Sequence, residues 1–214
     1  GAQLLFELAP PDGDYANPDN PFMLLSGPLT GTIFPTANRT FACSLSPLTG
    51  AYGGALGGGS FMPELKLAGY DGLIVLGKAD RPVYLDIRNK VVTIRDAQHL
   101  CGKWTTETRE AIRQELGDKE IKTCSIGPAG EKLVRYACLI FDGRAAGRAG
   151  LGASMGVKNL KAVAVRGIDS IPLAKPTEFV DLMLNFNTTI AASPAGTSLR
   201  DLGTARGVDN QNQF

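Results

Sequence analysis

The chain has 214 residues, with 22 Lys and Arg against 21 Asp and Glu and a net charge of +1. That length buries one good core, or one domain and part of another, and the balanced charge excludes a broad nucleic-acid or acidic-partner field. No apolar run approaches the ~20 residues of a membrane helix, and no basic stretch followed by an apolar one opens the chain as a secretion signal would.

Taken in chain order, Gly1-Ala2-Gln3-Leu4-Leu5-Phe6-Glu7-Leu8 reads as a helix entered midway, with no cap before its apolar residues. Strand-like runs then dominate. Residues 22–26, 40–45, 72–76, 83–88 and 91–95 are short and rich in Val, Ile and Leu, and 121–126, 134–141 and 161–165 repeat the pattern. Arg88-Asn89-Lys90 is the turn of a hairpin joining two of them. Helices are fewer. One is predicted over 63–68, with Pro63 in its first turn. A second is predicted over 105–116, capped by Thr105 or Thr106, striped by Ala111, Ile112 and Leu116, and ended by Gly117. A third follows the glycine-rich stretch over 152–160. Gly127-Pro-Ala-Gly-Glu131 reads as a turn. Residues 172–176 read as a linker, after which Pro176 opens an amphipathic helix capped by Thr177. Strands first and helix afterwards predict an α+β chain. Its β-rich first domain covers 1–171, incomplete at its amino-terminal end. Residues 172–214 are the linker and the incomplete beginning of a helical second domain.

Glycine accounts for 26 residues, and the excess is concentrated in two segments that also carry arginine. The first is Thr36-Ala37-Asn38-Arg39 followed by Gly53-Gly54-Ala55-Leu56-Gly57-Gly58-Gly59. Each glycine there would cost a helix or strand ~0.5–1 kcal/mol relative to alanine, so the cluster is expected as a loop. It runs directly into the apolar Phe61-Met62-Pro63-Glu64-Leu65, which disfavours a free linker. The second is Asp142-Gly143-Arg144-Ala145-Ala146-Gly147-Arg148-Ala149-Gly150-Leu151-Gly152. Glycine lets backbone approach a ligand without a Cβ in the way, exposed peptide N–H groups form anion-binding concavities, and arginine adds a bidentate fork for phosphate. Together the segments describe a cradle for a flat, phosphate-bearing cofactor. Arg39, at a strand start, projects towards a phosphate or forms an ordinary surface ion pair. Arg144 and Arg148, four apart, suit one or two phosphates. Gly150-x-Gly152-x-x-x-Gly156 does not have the spacing of a dinucleotide fingerprint, and no acidic residue closes a second strand about 20 residues on.

Cys43, Cys124 and Cys138 sit in apolar stretches as small core residues, Cys101 falls in a loop, and no spacing among them suits a metal. Free thiols fit a reducing compartment. His99, the single histidine, has no partner motif and reads as structural. No nucleophile–base set can be assembled, so no catalytic residue is assigned.

Several motifs, in order, resemble the amino-terminal domain of the aldehyde:ferredoxin oxidoreductases. They are Gly27-Pro-Leu-Thr-Gly-Thr32, Pro-Thr-x-x-Arg39, Ser46-Pro-Leu-Thr-Gly50, Pro63-Glu-Leu-Lys66-x-Ala-Gly-Tyr-Asp71 and Ile94-Arg-Asp-Ala97. Ser125-Ile-Gly-Pro-Ala-Gly-Glu131, Arg144-Ala-Ala-Gly-Arg148-x-Gly150-x-Gly152 and Met155-Gly-x-Lys-Asn-Leu-Lys-Ala162 complete the series. The resemblance implies a two-sheet base with a few helices carrying a tungsten (or molybdenum) bis-pterin, with a [4Fe–4S] cluster held by residues outside this chain. It implies oxidation of aldehydes to carboxylic acids in the cytoplasm, with electrons passed to ferredoxin or another carrier. It also implies further domains of the same enzyme, and a homo-oligomer or electron-transfer subunits; this segment alone would be inactive. Arg39 and Arg144 fall on the pterin-phosphate arginines, and Gly58 lies against a pterin with Gly57 and Gly59 beside it. Gly147 and Arg148 belong to the same cofactor-binding stretch. On this resemblance the Ala145 carbonyl would face a magnesium ion bridging the two phosphates. The family's magnesium-side asparagine falls on Leu56, which offers no side-chain oxygen, and the segment before Arg144 is one residue shorter than the pattern. Related tungsten enzymes acting on benzoyl-CoA or hydroxycarboxylates, and a non-catalytic scaffold, are the alternatives.

Overall fold

A computed structural model of the chain describes residues 1–11 and 13–208. It divides into two compact units, one of Gly1–Thr32 with Thr36–Ile171, the other of Ile33–Pro35 with the residues from Pro172 onward.

The first unit holds two sheets. Helix α1 (Ala2–Leu8) precedes β1 (Phe22–Leu25), β2 (Thr40–Leu45) and β3 (Tyr52–Gly57); α2 (Phe61–Leu67) and β4 (Gly72–Val75) follow. These strands form an antiparallel sheet in the order β3-β2-β1-β4. The second sheet is built from β5 (Val83–Arg88), β6 (Val91–Asp96), β7 (Lys122–Ser125), β8 (Leu139–Phe141), β9 (Arg144–Ala146) and β10 (Leu160–Arg166). Its order is β6-β5-β10-β7-β8-β9, antiparallel except where β10 runs parallel to β5. Helices α3 (Thr105–Leu116), α4 (Pro128–Glu131) and α5 (Leu151–Val157) complete the unit.

Strand β10 is buried on both faces, and its period-2 alternation shows what each face meets. Val163 and Val165 join the main core with Phe22, Leu24, Phe61, Leu65 and Phe141. Ala162 and Ala164 turn the other way, towards Tyr84, Leu100 and Ile112 on the α3 side. The hairpin tip expected at 88–90 is formed by Asn89 and Lys90, both at positive φ (46° and 71°), with Arg88 opposite Val91. Gly117 ends α3 in the left-handed conformation.

Several local expectations are corrected. The glycine cluster is not a loop. Residues Tyr52–Gly57 form a strand in continuous register with β2, Gly57 opposite Thr40 and Gly53 opposite Ser44. Close packing, which intrinsic propensity does not report, explains it. A Cβ at Gly53 would stand 2.7 Å from the Ala149 Cβ, and one at Gly54 2.9 Å from the Phe41 ring. A Cβ at Gly57 would enter the ring of Phe141. The strand expected over 134–141 shortens to Leu139–Phe141, because the chain before it turns under α5. There Cβ atoms on Gly150 and Gly152 would collide with the backbone of Arg135 and of 137–138. Residues 127–131 contain a single helical turn, α4. Trp104, and neither Thr105 nor Thr106, stands at the N-cap of α3, and the Glu107 carboxylate accepts its backbone N–H at 2.8 Å.

In the second unit α6 (Pro176–Ala192) is followed by α7 (Pro194–Leu202). Lys175, not Thr177, is the N-cap of α6. The Phe34 ring lies 4.8 Å from that of Phe186 and 6.1 Å from that of Phe179, centre to centre. No described helix is long and apolar enough to cross a membrane.

Cys43 and Cys124 are buried, Cys138 is half-buried and Cys101 is exposed. The His99 Nε2 lies 3.1 Å from a Glu115 carboxylate oxygen. Lys158, just after α5, is buried with its Nζ donating to the carbonyls of Pro18 (2.7 Å) and Gly77 (3.3 Å). Desolvation pulls its pKa down from 10.5 to about 8, against the opposing field of Asp19.

Two predictions follow from this packing. Gly57→Ala should lower unfolding free energy by ~1–3 kcal/mol through overpacking on Phe141. Gly58→Ala, with no atom within 4 Å of its Cβ, should stay within about 1 kcal/mol of the parent in the same urea titration. Equal effects would refute the packing role. For Lys158, the folded state has released a proton that the unfolded state still binds between pH about 8 and 10.5. Stability therefore rises with pH across that window. Lys158→Met should flatten this rise, and an unchanged slope would show that the buried amine is not its source.

Candidate functional site

The site grows from the junction of the two sheets. Arg39 immediately precedes β2, whose first residue, Thr40, is opposite Gly57; continuing the register sets Arg39 across from Gly58. From the second sheet, the β8–β9 hairpin puts Arg144 opposite Phe141. Gly59, at φ +98°, has its Cβ direction only 3.5 Å from the Arg144 Cγ and from the Phe141 carbonyl oxygen. A Cβ would sit there at ordinary van der Waals distance, and it is the positive φ that disfavours a side chain at this position. The two arginines and the two glycines thereby come to line one open cleft of about 610 Å³.

The rest of the wall comes from Thr36, Asn38, Leu56 and Ala145. Thr36 takes a left-handed φ of 62°, which turns the chain into β2. The loop is pinned from within. The buried Thr30 hydroxyl donates to the Ala37 carbonyl (3.0 Å) and accepts from Gly27 N–H (3.1 Å), and the Asn38 Oδ1 accepts from Gly31 N–H (3.0 Å). Ala145 lies on β9, an edge strand, so one side of its backbone has no strand partner. Leu56 is 53% exposed in the cleft.

A second motif, at Ser46, holds the two sheets together behind the cleft. Its hydroxyl donates to the Ala149 carbonyl (2.8 Å) and accepts from the N–H groups of Leu48 (3.2 Å) and Thr49 (3.1 Å). The Ser154 hydroxyl donates to the Leu45 carbonyl (3.4 Å). The glycine–arginine segments, about a hundred residues apart in sequence, are thus adjacent in space.

Electrostatically the cleft is one-sided. It contains two arginines and no carboxylate among its lining residues. Arg81, Arg88, Arg95, Arg109, Arg113, Arg166 and Arg200 each face a carboxylate. Among the described residues, Arg39 and Arg144 make no ion pair, so the surface-pair reading of Arg39 is not what the structure contains. Two arginines without ion pairs, lining one cleft with the side-chain-free backbone of Gly58 and Gly59, suit a phosphate dianion, which takes charge-assisted bonds from arginine and peptide N–H alike.

Of the residues expected from sequence, Arg39, Gly58, Gly59, Arg144 and Ala145 line the cleft. Gly57 is buried beneath the Phe141 ring. Gly147 and Arg148 are exposed and lie outside the lining. Thr36 and Asn38 were not assigned a role by the sequence. They stand in the same Pro-Thr-x-x-Arg stretch as Arg39, and that adjacency was the available signal. Among the described residues, no cluster of His, Cys, Asp and Glu could hold a metal ion.

Another cavity, of about 120 Å³, is lined by Cys101, Glu131 and Lys161. Its charges are already satisfied: the buried Lys161 ammonium pairs with Glu131 and donates to the Lys103 carbonyl (2.9 Å), and Glu131 also accepts from Gly102 N–H. Burial pushes the Cys101 thiol up, and nearby Glu131 adds to the shift.

The fold and the cleft together define an α+β domain that presents an acid-free, arginine-lined recess between two sheets. The family described as "Aldehyde ferredoxin oxidoreductase, N-terminal domain" matches residues 1–167. The "Tungsten-containing aldehyde ferredoxin oxidoreductase" of Pyrococcus furiosus is 46% identical over 94% of this chain, which spans 34% of that relative. The "Aliphatic sulfonate oxidoreductase, WOR-like subunit" of the same organism is 36% identical over 78% of the chain and 28% of its own length. A solved structure, "Active site complex BamBC of Benzoyl Coenzyme A reductase in complex with 1,5 Dienoyl-CoA", superposes with a TM-score of 0.86 at 41% identity, over 88% of this chain and 29% of that one. The chain belongs to the aldehyde ferredoxin oxidoreductase family and corresponds to its amino-terminal domain. It spans about a third of the length of the curated relatives it matches.

Proposed function

We propose that this chain is the cofactor-binding portion of a tungsten-dependent oxidoreductase that converts aldehydes to carboxylic acids. The observation that carries the reading is the cleft in which Arg39 and Arg144 stand without acidic partners. A bound tungsten bis-pterin would supply the centre at which an aldehyde takes up oxygen from water and gives up two electrons. The chain's own residues bind and orient. Arg39 and Arg144 neutralise phosphate from the two sheets, and the bare backbone of Gly58 and Gly59 admits the pterin tail at close range. Gly57 sets the strand spacing from below, while Gly147 and Arg148 form the outer continuation of the β9 edge.

The backbone carbonyl of Ala145, on the edge strand that lines the cleft, is the group of this chain that would hold a magnesium ion. Leu56 contributes no side-chain oxygen, so on this reading any such ion is completed by phosphate, backbone and water. The [4Fe–4S] cluster, the substrate pocket and the docking surface for ferredoxin or another carrier would come from the remaining domains, in a cytoplasmic oligomeric enzyme. The likeness to the BamBC complex favours a second reading, in which the same cofactor base serves a reaction on an aryl-CoA thioester. An activity panel of aldehydes and aryl-CoA thioesters separates the two.

The cofactor role is tested by Arg144→Ala in the full-length protein purified from tungstate-grown cells. Among the described residues Arg144 makes no ion pair, so with both proteins compared free of cofactor its thermal midpoint should stay within a few degrees of the parent, as expected for a surface change of about 0.5 kcal/mol. Pterin and tungsten, measured by fluorescence after oxidation and by elemental analysis, should be lost. Full pterin occupancy in the variant would refute the assignment.

A further inference from the structure

We propose that Asn38 is a third anion-contacting side chain of the cleft, donating its Nδ2 amine to the phosphate that Arg39 and Arg144 neutralise. This rests on the reading of the cleft as a phosphate site and names a group within it.

A side-chain amide has one oxygen that accepts and one nitrogen that donates twice. Only the oxygen can face a backbone N–H, so the bond from Gly31 N–H to Asn38 Oδ1 (3.0 Å) fixes which way the amide is turned. The remaining Nδ2 is a pure donor on a residue that lines the cleft beside Arg39. The amide is also held in advance. Gly31 follows Thr30, which is fully buried and ties Gly27 to Ala37 through its hydroxyl. The loop that carries Asn38 is therefore closed on itself before any ligand arrives, and the donor pays little ordering entropy on binding. Across the cleft, Leu56 offers only carbon from its side chain. Asn38 and Thr36 are thus the neutral polar side chains among the lining residues, and Asn38 is the one whose orientation is set by a hydrogen bond to its own loop.

The geometry supplies a selective test. Asn38→Asp keeps an oxygen for Gly31 N–H, so the loop anchor survives, but it replaces the donor by a negative charge facing phosphate. In the full-length, tungstate-grown protein, pterin should leave Asn38→Asp at least about tenfold faster than the parent during dialysis, while the two proteins, once free of cofactor, should share the same thermal midpoint. Asn38→Ser, which keeps a hydroxyl donor, should fall between the two. Arg144→Ala, run in parallel, separates the levels of the claim. Should Arg144→Ala shed pterin while Asn38→Asp releases it at the parent rate, the Asn38 assignment is overturned and the cleft reading stands. Should both variants hold pterin as the parent does, the cleft reading falls and the Asn38 assignment with it.

Discussion

Gly57 and Phe141 belong to different sheets, and no side chain separates the β3 backbone from the phenyl ring. The same ring lies 5.3 Å from that of Phe61, centre to centre, in the main core. One aromatic residue thus presses on bare backbone and on the core at once. The cleft depends on this close approach. Because β3 and the β8–β9 hairpin are drawn together, Gly59 meets the stem of Arg144, and Arg39, one residue before β2, points into the same recess. A larger residue at position 57 would separate the two arginines that give the recess its charge.

Packing and chemistry are divided among the glycines. Gly53, Gly54 and Gly57 make room for Ala149, Phe41 and Phe141, while Gly150, Gly152 and Gly156 let α5 settle on the backbone of 130–138. Gly58 and Gly59 remain at the cleft itself. Backbone freed of side chains beside two unpaired guanidiniums is a low-reorganisation environment for an anion, since neither arginine must first break an internal ion pair. That energetic point distinguishes Arg39 and Arg144 from the seven arginines that form ion pairs among the described residues.

Sequence and structure agree where local pattern and tertiary context point the same way. Residues 40–45 and 83–88 are short and apolar, and both are strands over those limits; the left-handed Asn89 of the hairpin tip and the Gly117 stop follow from residue conformational preference. The glycine strand β3 was illegible for a physical reason. Its intrinsic propensity argues against a strand, and the partners that reward it, Phe141 and Ala149, lie far along the chain. The break of 134–141 has the same origin, because the close approach of α5 that imposes it is a long-range contact. Of the residues that composition and order single out, Arg39, Arg144 and the Gly58–Gly59 pair line one cleft, while Arg148, named on the same grounds, lies outside its lining. The roles of Gly57 under Phe141 and of the Gly31–Asn38 bond were not legible, since each requires knowing which backbone group lies opposite.

The cleft between β3 and the β8–β9 hairpin is where the phosphates of the proposed cofactor would reside. The most direct measurement is a crystal structure of the full-length protein from tungstate-grown cells, with the tungsten located by its anomalous signal. Phosphate density within hydrogen-bonding distance of both the Arg39 and Arg144 guanidiniums, on the Gly58–Gly59 backbone, is the predicted result. A pterin whose phosphates lie elsewhere, with only water or a protein side chain between those two arginines, would contradict it.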